Sequence, residues 1–291
     1  ISEITFMVTS FSKSLNHGGG AMIFDRLMKT LSSEILFTDD IEFPEMAYCV
    51  FVGSPHAHAK IKKIDTTEAE RYSGVLKVIT GRDLRERTEP LPATADFSVI
   101  GWHWRIPQVY PLAVDKVRFY GEPVAAIIAE TEQIAREAAE LVNVEYEPLP
   151  VIIDARQSME PGAPLLYEEW RDNIQVHITF RWGDIEAVFA EADRILQVSW
   201  REGRVSGFPI EPRGCVAWYD INSKTLTMWG TYQTPYIAQR CISHVLRLPR
   251  TRVKVIAADI GGAFGNKINS WKDPVVGLAS ILTGRPVKWF E

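Results

Sequence analysis

The stretch RVKVIAADIGGAFGNK, residues 252–267, joins an apolar, β-branched run to a loop that contains three glycines. The run Arg252–Ala258 predicts a β-strand. Glycines directly after a strand allow backbone angles that other residues avoid, and they expose main-chain N–H groups that can hold a polar or anionic ligand. The spacing of Gly261, Gly262 and Gly265 matches neither the dinucleotide fingerprint nor a P-loop. These residues alone favour a plain strand-ending turn, with a ligand cradle as the alternative.

A second loop is predicted to lie beside the first. Gln233 stands where a strand meets a helix in WGTYQTPY, residues 229–236, and Pro235 fits the first turn of a helix that runs to about Leu248. A helix that connects two strands in this way usually makes them parallel neighbours, so both loops would reach the same sheet edge. Ligands of α/β sheets commonly bind at such edges, which strengthens the ligand interpretation.

Two further clusters of polar residues are weaker candidates. In EPRG, residues 211–214, the favoured interpretation of Glu211 and Arg213 is a solvated corner or a local ion pair. His56 and His58 alternate along a strand-like segment and could share one face, but no third metal ligand is near them in the sequence. Neither cluster therefore predicts a site alone.

Periodicity and turn residues divide the chain into an arm and two domains. Residues 1–30 contain a glycine run and little periodicity, which predicts an irregular N-terminal arm. An α+β domain is predicted over 31–150, interrupted by a long excursion at 82–112. A connector rich in proline and glycine at 151–170 leads into a second domain over 160–291.

Short apolar runs predict the strands of both domains. The run Val124–Ala129 is continuous, which indicates a strand buried on both faces, and Thr131 can cap the helix after it in a β-α-β unit. Asp184 is predicted to cap a second helix, with Val188 and Phe189 on its inner face. The remaining predicted strands are Ala47–Val52, Ala59–Ile64, Val75–Thr80, Asn143–Glu147, Ile195–Arg201, Val216–Tyr219 and Thr225–Trp229.

Composition limits the classes of function. The formal net charge is −5 and the pI is about 5.8, so no basic surface for nucleic acid is expected. The sequence has no apolar run long enough to span a bilayer and no signal peptide at its start, which predicts a cytoplasmic protein without membrane association. The cysteines are too far apart in sequence for a local metal site and are predicted to be buried thiols: Cys49, Cys215 and Cys241.

The ordered set of motifs resembles the large, molybdenum-binding subunit of the xanthine oxidase family, which includes aldehyde oxidoreductases and carbon monoxide dehydrogenases. Each motif is weak alone, but their order and spacing are specific over about residues 31–291. The motifs are FTDDI at 37–41, SPHAHA at 54–59, GEP at 121–123 within 117–124, the strand at 144–150, WGD at 182–184, EPRG at 211–214, QTP at 233–235 and DIGGAFGNK at 259–267.

The resemblance implies an α+β fold made of a small "hammerhead" domain at about 31–150, followed by the first part of a molybdopterin-binding domain. It assigns the backbone amides of the glycine loop to the cofactor, the ring of Phe264 to a wall of the substrate channel, and the amide of Gln233 to the oxo ligand of the metal. Gln233 and Phe264 thereby receive catalytic roles, and no side chain is assigned to the metal itself. The implied cofactor-binding residues are Gln233, Gly261, Gly262, Ala263, Phe264 and Gly265.

The cofactor implied is molybdenum–molybdopterin in its cytosine dinucleotide form. The reaction implied is oxidation of a small aldehyde or heteroaromatic substrate with oxygen drawn from water. Electrons would pass to [2Fe–2S] clusters and FAD, and because this sequence lacks a cysteine set for such clusters, an iron–sulfur subunit and an FAD subunit are the expected partners. Ala263 and Asn266 stand where the family usually has glycine.

The resemblance also places a general-base glutamate, a substrate-orienting arginine and further pterin contacts beyond residue 291. Three explanations stay open: a split subunit completed by a second molybdenum-domain polypeptide, a fragment of a longer chain, or an inactive relative. Activity is expected only with additional polypeptide. The alternative function is a non-catalytic subunit that holds the cofactor or serves as a scaffold.

Overall fold

The computed structural model describes residues 35–93, 104–180 and 182–291, so the predicted arm at 1–30 lies outside the described residues. Within these ranges, two sheets and six α-helices confirm the α+β class. No helix in them combines the length and the apolar character needed to cross a membrane. The strands are β1 Ala47–Gly53, β2 Ala59–Asp65, β3 Val75–Thr80, β4 Lys116–Val117, β5 Pro123–Ala129, β6 Asn143–Pro148, β7 Gly214–Asp220, β8 Thr225–Gly230, β9 Val253–Ala257 and β10 Val287–Phe290. The helices are α1 Thr67–Arg71, α2 Gly81–Arg87, α3 Glu132–Ala139, α4 Ile185–Glu191, α5 Pro235–Val245 and α6 Asp273–Thr283.

The larger sheet has the strand order β3-β5-β1-β10-β7-β8-β9. Strand β5 lies between β3 and β1 and is buried at every residue, as its continuous apolar sequence predicts. Strand β10 pairs in parallel with β1, with Ala47 opposite Val287, and antiparallel with β7. One sheet therefore contains strands from both of the predicted domains.

The smaller sheet has the order β4-β2-β6, which makes the predicted β-α-β unit wrong. Thr131 does cap helix α3, since its Oγ1 accepts from Ile134 N at 3.2 Å. However, β5 and β6 on either side of this helix belong to different sheets. Strand β6 alternates between exposed and half-buried residues and pairs antiparallel with β2, with Ile61 opposite Tyr146. It therefore belongs to the smaller sheet, one face of which is more exposed than the other, and does not extend the larger sheet.

Helix α5 connects β8 to β9 and makes them parallel neighbours, which confirms that prediction. It buries Ala238, Ile242 and Val245. Helix α6 is buried over most of its length and packs on β7 and β10, as its almost wholly apolar sequence requires. These two helices, together with the sheet, enclose the largest hydrophobic cluster of the described residues.

Three local predictions are wrong. The excursion predicted from residue 82 begins instead with helix α2, whose entry is fixed because Asp83 Oδ2 accepts from Thr80 N at 2.8 Å. The segment Ile195–Arg201 has no strand partner among the described residues and is not a strand. Asp184 caps α4 as predicted, since its Oδ1 accepts from Ala187 N at 3.1 Å, but the helix buries no residue and its expected inner face is exposed at Val188 and Phe189.

Candidate functional site

The two predicted loops meet at one edge of the larger sheet. Gly230 and Ala257 lie opposite each other at the ends of β8 and β9. Beyond them, Gly265 N donates to Gln233 Oε1 at 3.0 Å, and Gln233 N donates to the Lys267 carbonyl oxygen at 3.0 Å. The predicted proximity of the loops is confirmed, and hydrogen bonds in both directions join them.

The glycine loop, residues 261–267, takes left-handed backbone angles, with φ of 93° at Gly262, 48° at Phe264 and 87° at Gly265. Such angles suit glycine and are uncommon for a bulky residue such as Phe264. The amides of Gly262, Ala263 and Phe264 donate to no acceptor in the parts of the chain that the structure describes. The loop therefore presents a row of free donors, which differs from the plain strand-ending turn that its sequence favoured.

The segment 206–209 contacts the glycine loop. A Cβ atom on Gly207 would lie 2.6 Å from Phe264 Cβ, so only glycine permits this approach. Asn266 Nδ2 also donates to Ser206 Oγ at 3.3 Å. Phe264 is 73% exposed, which leaves its ring available to a ligand or substrate.

Glu211 is not at a solvated corner and does not pair locally, so that prediction is wrong. Its Oε2 accepts from Lys267 Nζ at 2.7 Å and from Gly261 N at 2.8 Å. The Lys267 side chain is fully buried and that of Glu211 is 11% exposed. Arg213 instead donates through Nη2 to the Asn269 carbonyl oxygen. The pairing joins residues that lie far apart in sequence, which is why local sequence gave no sign of it.

A buried carboxyl group lies under this site, at the first residue of helix α6. Burial raises the pKa of Asp273, while Arg213 Nη2, 3.9 Å from Asp273 Oδ2, acts in the opposite direction without cancelling the effect. Burial and this carboxyl group also raise the pKa of Tyr232 and of Cys215. These three residues therefore bind their protons more tightly than exposed residues of the same type.

The histidines and cysteines of the described residues form no additional centre. His58 Nδ1 lies 2.7 Å from the Pro150 carbonyl oxygen, and the ring of His56 packs edge-on against Tyr146. Burial raises the pKa of Cys49 and Cys241 to about 12, which makes both thiols poor nucleophiles. Among the described residues, no three or more potential metal ligands come together.

The buried ion pair is a feature of this site that the sequence did not indicate. Since Gln233 Oε1 accepts from Gly265 N, the side-chain amide is oriented and its Nε2 can donate to a ligand. Glu211 and Lys267 both lie within recognised motifs, yet nothing in either motif indicates that they touch. The predicted site residues that the structure brings together are Gln233, Gly261, Gly262, Ala263, Phe264 and Gly265.

Two family models together cover most of the chain. The model described as "Aldehyde oxidase and xanthine dehydrogenase, a/b hammerhead domain" matches residues 32–150, and the model described as "Molybdopterin cofactor-binding domain" matches residues 166–291. The chain belongs to the aldehyde oxidase and xanthine dehydrogenase family. It is a hammerhead domain followed by part of the cofactor-binding domain, as the resemblance implied.

Curated relatives and solved structures agree with this membership. The chain is 39% identical to the carbon monoxide dehydrogenase large chain of Afipia carboxidovorans over 88% of its own length and 32% of that relative. It is 36% identical to subunit gamma of the 6-hydroxypseudooxynicotine dehydrogenase complex of Paenarthrobacter nicotinovorans, over 90% of its length and 33% of that relative. The structure of reconstituted CO dehydrogenase from Oligotropha carboxidovorans matches with a TM-score of 0.78 at 37% identity, covering 91% of this chain and 34% of that one. The chain thus spans about a third of the length of these relatives.

Proposed function

We propose that this chain forms one wall of the molybdopterin site of a molybdenum hydroxylase. The observation that carries the proposal is the row of amides at Gly262, Ala263 and Phe264, for which the described residues supply no acceptor. Consecutive backbone N–H groups in a loop of this kind form a concave site for anionic or polar oxygen atoms. The cofactor presents such oxygen atoms, so the loop fits it.

Two side chains are assigned to the same face of the loop. Gln233 would donate through Nε2 to the bound group, and because an amide is uncharged, it would orient that group without changing its charge. The exposed ring of Phe264 would form an apolar wall that orients a flat or small substrate and excludes water. When bound, the cofactor supplies the redox centre that oxidises the substrate with oxygen taken from water.

Activity would require more polypeptide than these 291 residues, since the relatives matched are about three times longer. We assign the general base, the substrate arginine and the other pterin contacts to that additional polypeptide. The proposed cofactor is the cytosine dinucleotide form, and the proposed electron acceptors are [2Fe–2S] clusters and FAD on partner subunits. The names of the relatives support partners of this kind, because they describe a large chain and one subunit of a dehydrogenase complex. The proposed substrate is a small aldehyde or heteroaromatic compound.

Molybdenum content is the direct test. The chain is purified together with polypeptide that supplies the remaining two-thirds of its relatives, from a host that makes the cofactor, and molybdenum is measured by mass spectrometry. Gly265→Val forces a β-branched residue into a left-handed backbone angle next to the free amides. We expect about tenfold less molybdenum per mole of protein, which corresponds to a strain of about 1.4 kcal/mol.

Gly162→Val is the matched control, because Gly162 has a φ of 83° and open space around it, as Gly265 does, but it lies in the connector before α4. It should leave the molybdenum content unchanged. Equal content in both variants would contradict the assignment of the loop. Stoichiometric molybdenum without oxidation of any aldehyde or heteroaromatic compound would favour the cofactor-holding function over the enzyme.

A further inference from the structure

One oxygen atom of Glu211 holds both ends of the glycine loop. Its Oε2 accepts from Gly261 N, the first residue of the loop, and from Lys267 Nζ, the last. The main chain adds to this contact, since Glu211 N donates to the Gly261 carbonyl oxygen at 3.4 Å. The free amides at residues 262–264 lie between these two anchored ends.

The approach of Glu211 is close enough to depend on a glycine. A Cβ atom on Gly261 would lie 2.7 Å from Glu211 Cβ, closer than non-bonded carbon atoms can approach. The loop and the carboxylate are therefore fitted to each other. A residue with any side chain at position 261 would push the loop away from Glu211.

Stability alone does not explain this pair. Removing two charges from water is costly, and a buried ion pair often stabilises a fold no more than apolar residues of the same size would. Glu211 Oε1 is also buried and makes no hydrogen bond within the described chain, which adds to the cost. What a buried pair can supply in return is a fixed geometry, because both charges must stay where they are compensated.

We infer that Glu211 is a positioning residue for the glycine loop, with Lys267 as the counter-ion that compensates its buried charge. This inference rests on the proposed function for its purpose, but not for its geometry. With both ends fixed by Glu211 and the Gly265 amide held by Gln233, the amides at 262–264 keep one direction before any ligand arrives. A site that is ordered in advance loses less conformational entropy when it binds.

The test compares two double variants of the full chain that both remove the buried charges, so that neither leaves an unpaired charge behind. Glu211→Met/Lys267→Met also removes the acceptor for Gly261 N, whereas Glu211→Gln/Lys267→Met retains an oxygen that can accept from it. Hydrogen exchange of individual amides is measured without cofactor. We expect the Gly261 and Gly265 amides to exchange about tenfold faster or more in the first variant, and to stay within about threefold of the unmodified protein in the second.

The exposed pair Glu132 and Arg136 provides the control, because Glu132→Met/Arg136→Met removes the same charges from the surface of α3 and should not alter exchange in the loop. If the first variant does not fold, the second decides: retained protection at Gly261 supports the inference, and lost protection overturns it. Unchanged exchange in a folded first variant also overturns it.

Molybdenum content of the assembled complex is a second readout that separates the two proposals. We expect it to fall in the first double variant and to be retained in the second. A complex that contains no molybdenum even when unmodified would reject the proposed function, while the exchange results would still decide whether Glu211 positions the loop.

Discussion

Strand β7 and the segment 195–201 both have the apolar pattern of a strand, but only β7 forms one. Val216 and Ala217 in β7 are fully buried between β10 and β8. In the segment 195–201, Leu196 and Trp200 are almost fully exposed and have no partner strand among the described residues. The comparison shows that apolar alternation selects residues able to form a strand, while a neighbouring backbone decides whether one forms.

The whole segment 182–210 contains large apolar residues that are exposed to solvent. Its amino acids resemble those of the core, yet the structure leaves its large apolar side chains in contact with solvent. Exposed apolar area of this size contributes none of the burial energy that stabilises β7 and β8. The same residue type should therefore matter greatly in the sheet and little in this segment. The apolar residues exposed in the segment are Trp182, Ile185, Val188, Phe189, Ile195, Leu196, Val198, Trp200, Val205, Phe208 and Ile210.

The largest expected effect comes from truncating leucine in each region. Leu226 in β8 is fully buried, whereas Leu196 is 86% exposed. Leu226→Ala should lower the free energy of unfolding by about 2–5 kcal/mol through lost burial and the cavity it leaves. Leu196→Ala should change it by no more than about 0.5 kcal/mol. Urea unfolding of the 291-residue chain measures both. An equal loss of unfolding free energy in the two variants would show that segment 182–210 is packed.

A smaller effect is expected from the pH dependence of stability. Because the pKa of Asp273 is raised in the folded chain above its unfolded value of about 3.9, the native state keeps a proton that the unfolded state has lost. The free energy of unfolding should therefore fall as the pH rises from about 4 through the folded-state pKa, by at most about 1.4 kcal/mol per pH unit. Asp273→Asn removes this contribution, so the stability of the unmodified chain relative to the variant should decline over that range.

Unfolding curves at a series of pH values measure this difference. Asp193→Asn is the control from the other region, since it removes a carboxyl group that is exposed to solvent. A relative stability that rises with pH would show that attraction between Arg213 and the charged form of Asp273 outweighs burial.

The smallest expected effect is the difference in stability between variants of two helix caps. Thr131 caps α3, which packs against β1 and β5, and Asp184 caps α4, which buries no residue. Thr131→Ala should cost about 1 kcal/mol of global stability. Asp184→Ala should cost less than about 0.5 kcal/mol, because an unpacked helix can unwind without the sheet. Denaturant titration checks both values, and a similar loss in the two variants would mean that α4 is coupled to the core.

Local sequence was sufficient for several features that depend on neighbours along the chain, although it missed α2, whose cap joins Thr80 to Asp83. The continuous apolar run of β5 could fit only a strand buried on both faces, and Thr131 and Asp184 are caps by residue type and position. The meeting of Gln233 with the glycine loop was also predictable, since a helical crossover places two parallel strands side by side.

The buried ion pair and the division of the strands into two sheets depend on contacts that no local pattern encodes. Nothing near Glu211 indicates that its partner is Lys267, because a buried pair is selected by the fold that surrounds it. Likewise, β6 alternates as an ordinary strand does, and only its pairing with β2 shows that it belongs to a second sheet. The strand prediction for residues 195–201 was wrong for the opposite reason. The apolar pattern of a strand is present there, but the described chain supplies no partner strand.

The parallel pairing of β1 with β10 has a consequence for biosynthesis. Strand β1 leaves the ribosome long before β10, the strand that completes its ladder and comprises residues 287–290. Until those residues are made, one side of β1 is an open strand edge, which is a template for pairing with other chains. Closing so long a loop also slows folding. The nascent chain is therefore expected to need protection from aggregation between the synthesis of β1 and that of β10, and a chaperone that covers this edge should raise its yield.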